Sequence, residues 1–576
     1  MNRSGTEQAL KVVLDDLMAR RRDGAWWSGR LSSSAVATAT AVSALSAADR
    51  NTHAGTIASA IGWLLDTQND DGGWGDTPCS PSNLPATVLT ISALRLADMD
   101  DRTAPARRAA WGYLGDTTGL SVTGADLAPV ILRHYGDDRT FSVPILVNAA
   151  LAGLVDWSDI PRLPYELTLL PHSLYRSLRL EVVSYALPAL IALGVAIDHR
   201  QHRRLSARAW LGRAARRHAL ATLAAIQPTS GGYLEAVPLT SFVTMALAPI
   251  VGRDHPVIAR CIGFLNDSIR PDGSWPIDTD LSVWVTTKTV LALDAANRLD
   301  LLDTDATADW IVAQQHHRLH PYTRSAPGGW AWTHRPGGVP ATDDTSGALL
   351  ALHRLGRPQP APAGVRWLLG LQNADGGWPT FCRGWNRLPF DTSCPDLAAH
   401  ALHALAAWSD DLRIDAPASA VESGFDYLRA SQRPDGSWRP LWFGNQHAPG
   451  QFNPVLGTAF VLDSLLTVAP SMPVVGRGMG FLLRSQNDDG GWGGAPGVSS
   501  TVEETALAAS VLAHANAPGH PRELERAAAY LVDRVAQGAW KPPQPIGLYF
   551  ASLWYSEEIY PIVWLVQSLG RIVQRK

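Results

Sequence analysis

Cysteine is scarce in this sequence, with only four residues among 576. Their positions, Cys79, Cys261, Cys382 and Cys394, show no paired spacing. A disulfide framework is therefore not expected, and a reducing compartment is favoured. An excess of one charge is missing as well, because 49 Lys and Arg residues face 53 Asp and Glu residues, for a net charge of −4. This balance gives no reason to expect a nucleic-acid partner.

Long apolar runs are also missing. The most apolar stretch, Val182–Ile197, contains Pro188 and is shorter than the roughly 20 residues that a membrane-spanning helix needs. The first residues, MNRSGTEQALKVVLDDLMARRR, lack the apolar core of a signal peptide. We therefore expect a cytoplasmic protein. Peripheral attachment to the inner face of the cell membrane stays open, because it needs no spanning helix.

Tryptophan, in contrast, is abundant, with 22 residues, and it marks an internal repeat. The four best copies are QNDDGGW (68–74), QNADGGW (372–378), QRPDGSW (432–438) and QNDDGGW (486–492). From Trp275 onward the repeat tryptophans recur at Trp330, Trp378, Trp438, Trp492 and Trp540. A spacing of about fifty residues indicates a repeat architecture.

Each copy is typical of a helix–turn–helix pair. An apolar helix ends at the Gln, a turn rich in Asn, Asp and Gly follows, and a second helix comes after the Trp. One such pair cannot bury its own apolar face, so the pairs must stack or close into a ring around a cavity. We interpret the Gln and Trp of the repeat as structural, which places the chemistry on residues outside it.

Two segments outside the repeat carry candidate functional groups. In PATDDTSGALLAL (340–352), Asp343 and Asp344 lie where a helix should begin, and carboxylates there can simply cap the helix. In SCPDLAAHALHALAAW (393–408), Pro395 suits the first position of a helix, and Asp396 and His400 are four residues apart on one face.

Together, the repeats and these two segments resemble the squalene–hopene cyclase family, the class II triterpene cyclases, over nearly the whole chain. The resemblance implies an all-α fold of two α/α barrels with a large apolar cavity between them. Residues 26–275 would form one barrel and residues 276–576 the catalytic barrel. Residues 1–25 would form an N-terminal helix that packs on the catalytic barrel.

The family's Asp-X-Asp-Asp-Thr motif, which carries an acid that protonates an alkene, matches residues 341–345. The match places the proton donor on Asp343 and its acidic neighbour on Asp344, whereas Ala341 stands in place of the first acid. His400 is the implied hydrogen-bond partner of the donor, and Asp396 the support of that histidine. An alkene is a very weak base, so its protonation needs a neutral carboxylic acid in a dry pocket.

The resemblance also identifies aromatic residues that would stabilise carbocations, since aromatic faces attract cations without being good nucleophiles. They are Trp284, Trp332, Phe381, Phe390, Trp438, Tyr185, Tyr549, Trp554 and Tyr555. Three basic residues, Lys288, Arg383 and Arg387, lie near them in sequence and could hold a diphosphate. Residues 199–220 are basic and amphipathic, which fits either an anionic membrane surface or a solvated helix face.

The sequence thus predicts a cyclase that protonates a terminal alkene of squalene, or of a related linear polyprene, and drives polycyclisation through carbocations. No organic cofactor and no metal is implied. The expected partners are the hydrophobic substrate and a membrane surface, and a homodimer is left open.

Four alternatives remain. The first is a cyclase of a prenyl diphosphate or a prenylated aromatic, and the second is a non-catalytic toroid that binds a ligand. An inverting glycosidase would need carboxylates about 6.5–9.5 Å apart across a polar cleft, unlike two adjacent acids. A zinc site could use Cys394, Asp396 and His400.

Overall fold

The computed structural model describes residues 3–119, 126–136, 138–169, 186–201, 207–321, 323–381, 390–412, 418–515, 521–547 and 553–575. Helices dominate, in agreement with the predicted class. In the first half of the chain they are α1 (Arg3–Ala19), α2 (Ala35–Asp49), α3 (Ala54–Asp66), α4 (Leu84–Leu96), α5 (Asp100–Thr118), α6 (Leu127–Tyr135), α7 (Arg139–Leu151), α8 (Leu187–Gln201), α9 (Ala207–Ile226), α10 (Val237–Val251) and α11 (Pro256–Ser268).

The second half of the described chain continues the pattern. Its helices are α12 (Ser282–Ala295), α13 (Thr304–Ala313), α14 (Thr342–Arg354), α15 (Ala361–Leu371), α16 (Pro395–Leu412), α17 (Ala418–Ser431), α18 (Pro454–Val468), α19 (Pro473–Arg484), α20 (Val502–His514), α21 (Pro521–Ala536) and α22 (Tyr560–Gln574). Two short strands, β1 (Ser33–Ser34) and β2 (Trp275–Pro276), pair antiparallel.

The second half of the chain closes into a ring of paired helices. Helices α12, α14, α16, α18, α20 and α22 each contact the next, and α22 returns to α12. Helices α13, α15, α17, α19 and α21 pack on the outside of this inner ring, and α1 packs on α22 and α21. Inner helices are buried all round, whereas outer helices bury one stripe. Helix α20 accordingly buries twelve of its thirteen residues, and α21 only five of sixteen.

The first half forms a second ring. Among its described helices, α2, α4, α7, α8 and α10 make the inner layer, with α10 returning to α2. Helices α3, α5, α6, α9 and α11 pack outside them. The predicted all-α fold of two α/α barrels is therefore confirmed. The domain boundaries stay a prediction.

The repeat residues join neighbouring helix pairs. The indole N–H of Trp378 donates to the carbonyl of Leu368, near the end of the preceding outer helix, at 2.9 Å. The amide of Gln372 donates to the carbonyl of Gly376 at 2.9 Å and to that of Ala420, in the first turn of the next outer helix, at 2.8 Å. The copies at Gln68, Gln432 and Gln486 make the same two bonds.

These repeat turns depend on glycine. Gly376 has φ of 87°, and a Cβ there would lie 2.2 Å from the carbonyl oxygen of Ser423 in α17. Only glycine allows both this backbone conformation and this approach. The turn therefore fixes each repeat at a constant distance from the next outer helix.

The two barrels are joined by several polar contacts. The backbone N–H of Trp554 donates to Asp76 at 2.6 Å, and that of Gly337 donates to Glu235 at 2.8 Å. Strands β1 and β2 add a further connection near the start of the catalytic barrel. Within the part of the chain that the structure describes, every helix falls short of the length and apolar character needed to cross a membrane.

Candidate active site

The acid pair lies at the start of inner helix α14. Ala341 precedes the helix with extended backbone and forms no side-chain cap. Its N–H donates to the carbonyl of Trp330, and the N–H of Thr342 donates to the carbonyl of Thr380, both at 2.9 Å. The loops that follow two repeat tryptophans therefore hold this helix start, and the carboxylates are left for other contacts.

Asp343 accepts hydrogen bonds on both carboxylate oxygens. Oδ1 lies 2.6 Å from Nδ1 of His400 and 3.2 Å from Nζ of Lys288, while Oδ2 accepts from the indole N–H of Trp284 at 2.6 Å. Burial raises the pKa of Asp343, but the positive charge of Lys288, the His400 imidazole and the bond from Trp284 outweigh it. Together they hold the pKa well below its usual range. The carboxylate form is thus strongly stabilised.

Asp344 has the opposite environment. It is buried at 4% exposure, and its Oδ1 has no hydrogen-bond partner among the described residues. Burial and the negative charge of Asp343 raise the pKa of Asp344 well above its usual value. The two adjacent carboxyls are therefore driven toward different protonation states, an arrangement that is common where one group must donate a proton.

His400 reaches Asp343 from inner helix α16, which begins at Pro395 as the sequence predicts. Burial and the charge of Lys288 lower the pKa of His400. A neutral imidazole next to a carboxylate must carry its proton on Nδ1 to donate this bond. The imidazole of His400 therefore holds the Asp343 side chain in a fixed orientation.

Asp396 does not support His400 in the predicted way. Its Oδ1 accepts from the thiol of Cys394 at 2.5 Å, and no hydrogen bond joins it to His400 in the described structure. The i,i+4 spacing does place both residues on the cavity wall. Burial raises the pKa of Asp396 to about 6. The prediction of its partner was wrong, because the short Cys394 side chain at the helix start lies closer.

These groups face a cavity of about 570 Å³ that both barrels line. The first barrel contributes apolar side chains such as Leu89, Phe141 and Phe242. The catalytic barrel contributes Asp343, Asp344, Lys288, Asp396 and His400. The volume falls within the roughly 300–1,000 Å³ range of small-molecule sites. A pocket that is mostly apolar, with a few convergent polar groups at one place, suits a hydrocarbon chain with one reactive end.

Four of the predicted aromatic residues lie on this wall: Trp284, Trp332, Phe381 and Phe390. Phe381 is the centre of one cluster, with ring centroids 5.7 Å from Trp332 and 5.4 Å from Phe390. Trp284 stacks on Tyr560 at 5.6 Å beside the acid. The aromatic surface therefore begins next to Asp343 and continues along the cavity.

Three other aromatic predictions differ from the structure. Trp438 is fully buried between inner and outer helices, where its N–H donates to Leu428. It is not on the cavity wall, because the bonding pattern of the repeat directs the indole away from it. Trp554 and Tyr555 are buried outside the described wall as well, and the hydroxyl of Tyr555 accepts from the indole of Trp442 at 3.2 Å. Tyr185, Tyr549, Arg383 and Arg387 lie outside the described residues.

The sequence reasoning missed several aromatic residues on the wall. Trp442 is 5.5 Å from Phe381, Phe443 is 6.2 Å from Trp284, and Phe460 and Trp564 continue the second group. A signal for Trp442 was present, since Trp332 and Phe381 also follow a repeat tryptophan by two or three residues. Phe460 and Trp564 lie within inner helices and carried no such signal.

The inner helices of the catalytic barrel also contribute polar groups to the wall. Asp463 accepts from Nδ1 of His514 at 3.1 Å and from Gln567 at 3.2 Å, and it pairs with Arg571. Arg354 pairs with Asp294 at 3.0 Å. All of these side chains come from inner helices. The catalytic-barrel wall therefore carries paired charged groups beside aromatic side chains such as Phe460 and Trp564.

The zinc alternative gains no support from the described residues. They contain no group of three or more His, Cys, Asp and Glu side chains arranged to hold a metal ion. The Cys394 thiol is instead occupied by Asp396 and by the N–H of Leu441.

Comparison with known proteins gives a consistent family. The model of the squalene-hopene cyclase C-terminal domain matches residues 2–94 and 281–501, together more than half of the chain. A squalene–hopene cyclase from Bradyrhizobium diazoefficiens is 27% identical over 314 residues, which span 47% of this chain and 46% of that protein. A copalyl diphosphate synthase from Streptomyces cyslabdanicus is 27% identical over 524 residues, which span 87% of this chain and 84% of that protein.

Among solved structures, the ent-copalyl diphosphate synthase from Streptomyces platensis has the same fold. It superposes with a TM-score of 0.60 at 20% identity and covers 99% of both chains. The helix pairs, the acid pair on the wall of a mostly apolar cavity and the match to the family model all indicate the same family. The chain belongs to the squalene-hopene cyclase family and is a class II terpene cyclase.

Proposed function

We propose that this enzyme cyclises a linear polyprene by protonating its terminal alkene with Asp343. The observation that carries this proposal is a carboxyl on the wall of a mostly apolar, aromatic cavity, held by His400 and Trp284. The alkene would lie against Asp343 and the rest of the chain along the aromatic wall. Proton transfer leaves a cation that these rings stabilise, at about 2 kcal/mol or more for each desolvated face.

Squalene is the first candidate substrate. Lys288, Arg354 and Arg571 are the Lys and Arg side chains on the described wall, and each is paired with a carboxylate. The described part of the wall that the first barrel contributes includes none of them. A substrate without a charged group fits such a surface best, because an unpaired charge would be desolvated there.

A prenyl diphosphate is the second candidate. It is favoured by the similarity to a copalyl diphosphate synthase, which extends over most of both chains. In the sequence, Arg383 and Arg387 fall between the cavity residues Phe381 and Phe390. Arginine binds phosphate groups well through paired hydrogen bonds.

Parallel incubation of the purified protein with squalene, farnesyl diphosphate and geranylgeranyl diphosphate tests both candidates, with the products identified by mass spectrometry. A cyclic product from squalene supports the first candidate, and one formed only from a diphosphate selects the second. If no polyprene is converted, the proposal fails. Asp343→Asn is the matched control, and it must abolish any product that the wild type forms.

A further inference from the structure

Lys288 is the one lysine on the described part of the cavity wall, and it contacts the proposed proton donor. It lies on α12, one turn after Trp284, and its side chain is 11% exposed. Its ammonium group is 5.9 Å from the ring centroids of both Trp284 and Phe460. Its Nζ is 3.2 Å from Oδ1 of Asp343. A buried cation thus lies where the reaction must create another cation.

We propose that Lys288 makes Asp343 a stronger acid by stabilising the carboxylate that remains after proton donation. This inference rests on the proposed function and assigns to Lys288 a role other than holding a diphosphate. Lys288 contacts the acid and not the alkene, so it is a positioning residue.

The proton balance explains why such a cation helps. The O–H bond of Asp343 breaks, and the alkene π electrons form a C–H bond at one carbon, which leaves a carbocation at the other. The O–H electron pair stays on Asp343, where Lys288, His400 and Trp284 all donate to it. The negative charge created in the step is therefore met by groups that are already in place.

The same contacts protect the cation. An ionised carboxylate close to a carbocation can take the proton back or form an ester. With three donors on its two oxygens, Asp343 has little free electron density to offer. Lys288 thus serves both the formation and the survival of the first cation.

Other charged groups around Asp343 do not replace this contribution. Asp344 on α14, Asp396 on α16 and Asp463 on α18 are carboxyls, which oppose a second negative charge nearby when they are ionised. His400 on α16 has its pKa lowered by burial and is the remaining donor of variable charge. Ala341 at the start of α14 adds no charge. The fixed positive charge next to Asp343 therefore comes from Lys288.

The test is the pH profile of Lys288→Met, which keeps the length of the side chain and removes its charge. Asp343 must be protonated to act, so the rate falls as pH rises through its pKa. This fall is the alkaline limb of the pH profile. Loss of an opposite charge at this distance should raise the pH of this limb by about 1–3 units. We expect the variant to reach its maximal rate at a higher pH than the wild type, and this maximum to be lower because the acid is weaker.

In Lys288→Arg the rate should fall at the same pH as in the wild type, because arginine keeps the positive charge. Lys11→Met, at an exposed position of α1, is the matched control and should change nothing. An unchanged limb in a folded Lys288→Met protein would overturn the proposal. So would a rise in KM confined to a diphosphate substrate, since that result would place Lys288 on the substrate.

A readout without turnover separates this inference from the proposed function. Infrared titration follows the C=O stretch of the protonated Asp343 carboxyl, which is assigned by its loss in Asp343→Asn. The band should persist to a higher pH in Lys288→Met than in the wild type, even if no tested polyprene is converted. Equal titration in both proteins contradicts the inference whatever the substrate is.

Discussion

At the scale of single residues, the site depends on the contrast between Asp343 and Asp344. Both lie at the start of one helix, Asp343 partly exposed and Asp344 buried, yet only Asp343 has side-chain donors around it. Lys288, His400 and Trp284 favour its ionised form, whereas burial and the charge of Asp343 outweigh the attraction of Lys288 for Asp344, whose Oδ1 has no hydrogen-bond donor among the described residues. Two neighbours of the same type therefore differ: Asp344 is held in its protonated form, whereas Asp343 favours the carboxylate and is a strong acid whenever it carries a proton.

Asp343→Asn should abolish cyclisation, with a loss of roughly 10³-fold or more, because general acid catalysis commonly contributes 10²–10⁴-fold and no other described acid has the same donors. Product formation under multiple-turnover conditions measures the loss. The variant leaves Lys288 without its ion-pair partner and should unfold at a lower temperature than the wild type, so circular dichroism at the assay temperature checks that it is folded. Activity retained in a folded Asp343→Asn protein would show that another group donates the proton.

Asp344→Asn should stabilise the fold at high pH. The folded-state pKa of Asp344 is raised above the unfolded value of about 3.9, so the wild type loses stability as pH rises from that value through the folded pKa. An amide does not ionise and avoids this loss. The gain in unfolding midpoint should be larger at pH 8 than at pH 5, which differential scanning fluorimetry can measure. Equal gains at both pH values would count against the raised pKa.

At the scale of elements, each repeat and the loop that follows it have two structural roles. The Trp and Gln side chains join outer helices, as in the bonds of Gln372 to Gly376 and Ala420. The next few residues then turn inward and place Trp332, Phe381 and Trp442 on the cavity wall. One structural repeat thus also supplies successive aromatic surfaces.

Gln372→Ala should destabilise the catalytic barrel, because two partly buried backbone carbonyls lose their donor. The expected cost is about 1–3 kcal/mol in the free energy of unfolding. Urea denaturation at pH 7 measures it. Gln8→Ala, at an exposed position of α1, is the matched control and should fall within about 0.5 kcal/mol of the wild type.

Trp442→Leu should impair cation stabilisation, since the indole packs against Phe381 and Phe390 on the cavity wall. Loss of a desolvated aromatic face worth about 2 kcal/mol corresponds to roughly a 30-fold lower rate or to earlier termination of the cyclisation. Gas chromatography of the products distinguishes the two. Trp442→Phe keeps an aromatic face and should recover much of the activity. An equal defect in both variants would indicate a packing role.

At the scale of the whole molecule, the cavity exists only because the two barrels meet. Contacts such as Trp554 to Asp76 and Gly337 to Glu235 cross that junction, and buried carboxyls recur around it. Burial raises the pKa of Asp76 to about 7 and that of Glu557 to about 8. Burial and the neighbouring Glu504 raise the pKa of Glu503 to about 8.

The stability of the folded protein should therefore fall between pH 6.5 and 8.5. In the unfolded chain these three carboxyls are already ionised in this window, whereas the folded protein still holds their protons, so stability decreases as pH rises. Buried histidines such as His403, whose pKa burial lowers to about 4, act in the opposite sense but only below about pH 6.5. Thermal unfolding across the window measures the slope. Glu557→Gln should flatten it, and an unchanged slope would contradict the assignment.

The sequence by itself determined the helix pairs, because a repeat depends on local geometry, but it left open whether the pairs stack or close into a ring. The place of Asp343 and His400 in the site was predicted from the resemblance of their motifs to the squalene–hopene cyclase family. Only the tertiary structure decided which side chains meet across helices. It placed Lys288 against Asp343, Cys394 against Asp396 and Trp442, rather than Trp438, on the cavity wall. Such contacts depend on how inner helices are rotated in the closed ring, and no pattern within one helix specifies that rotation.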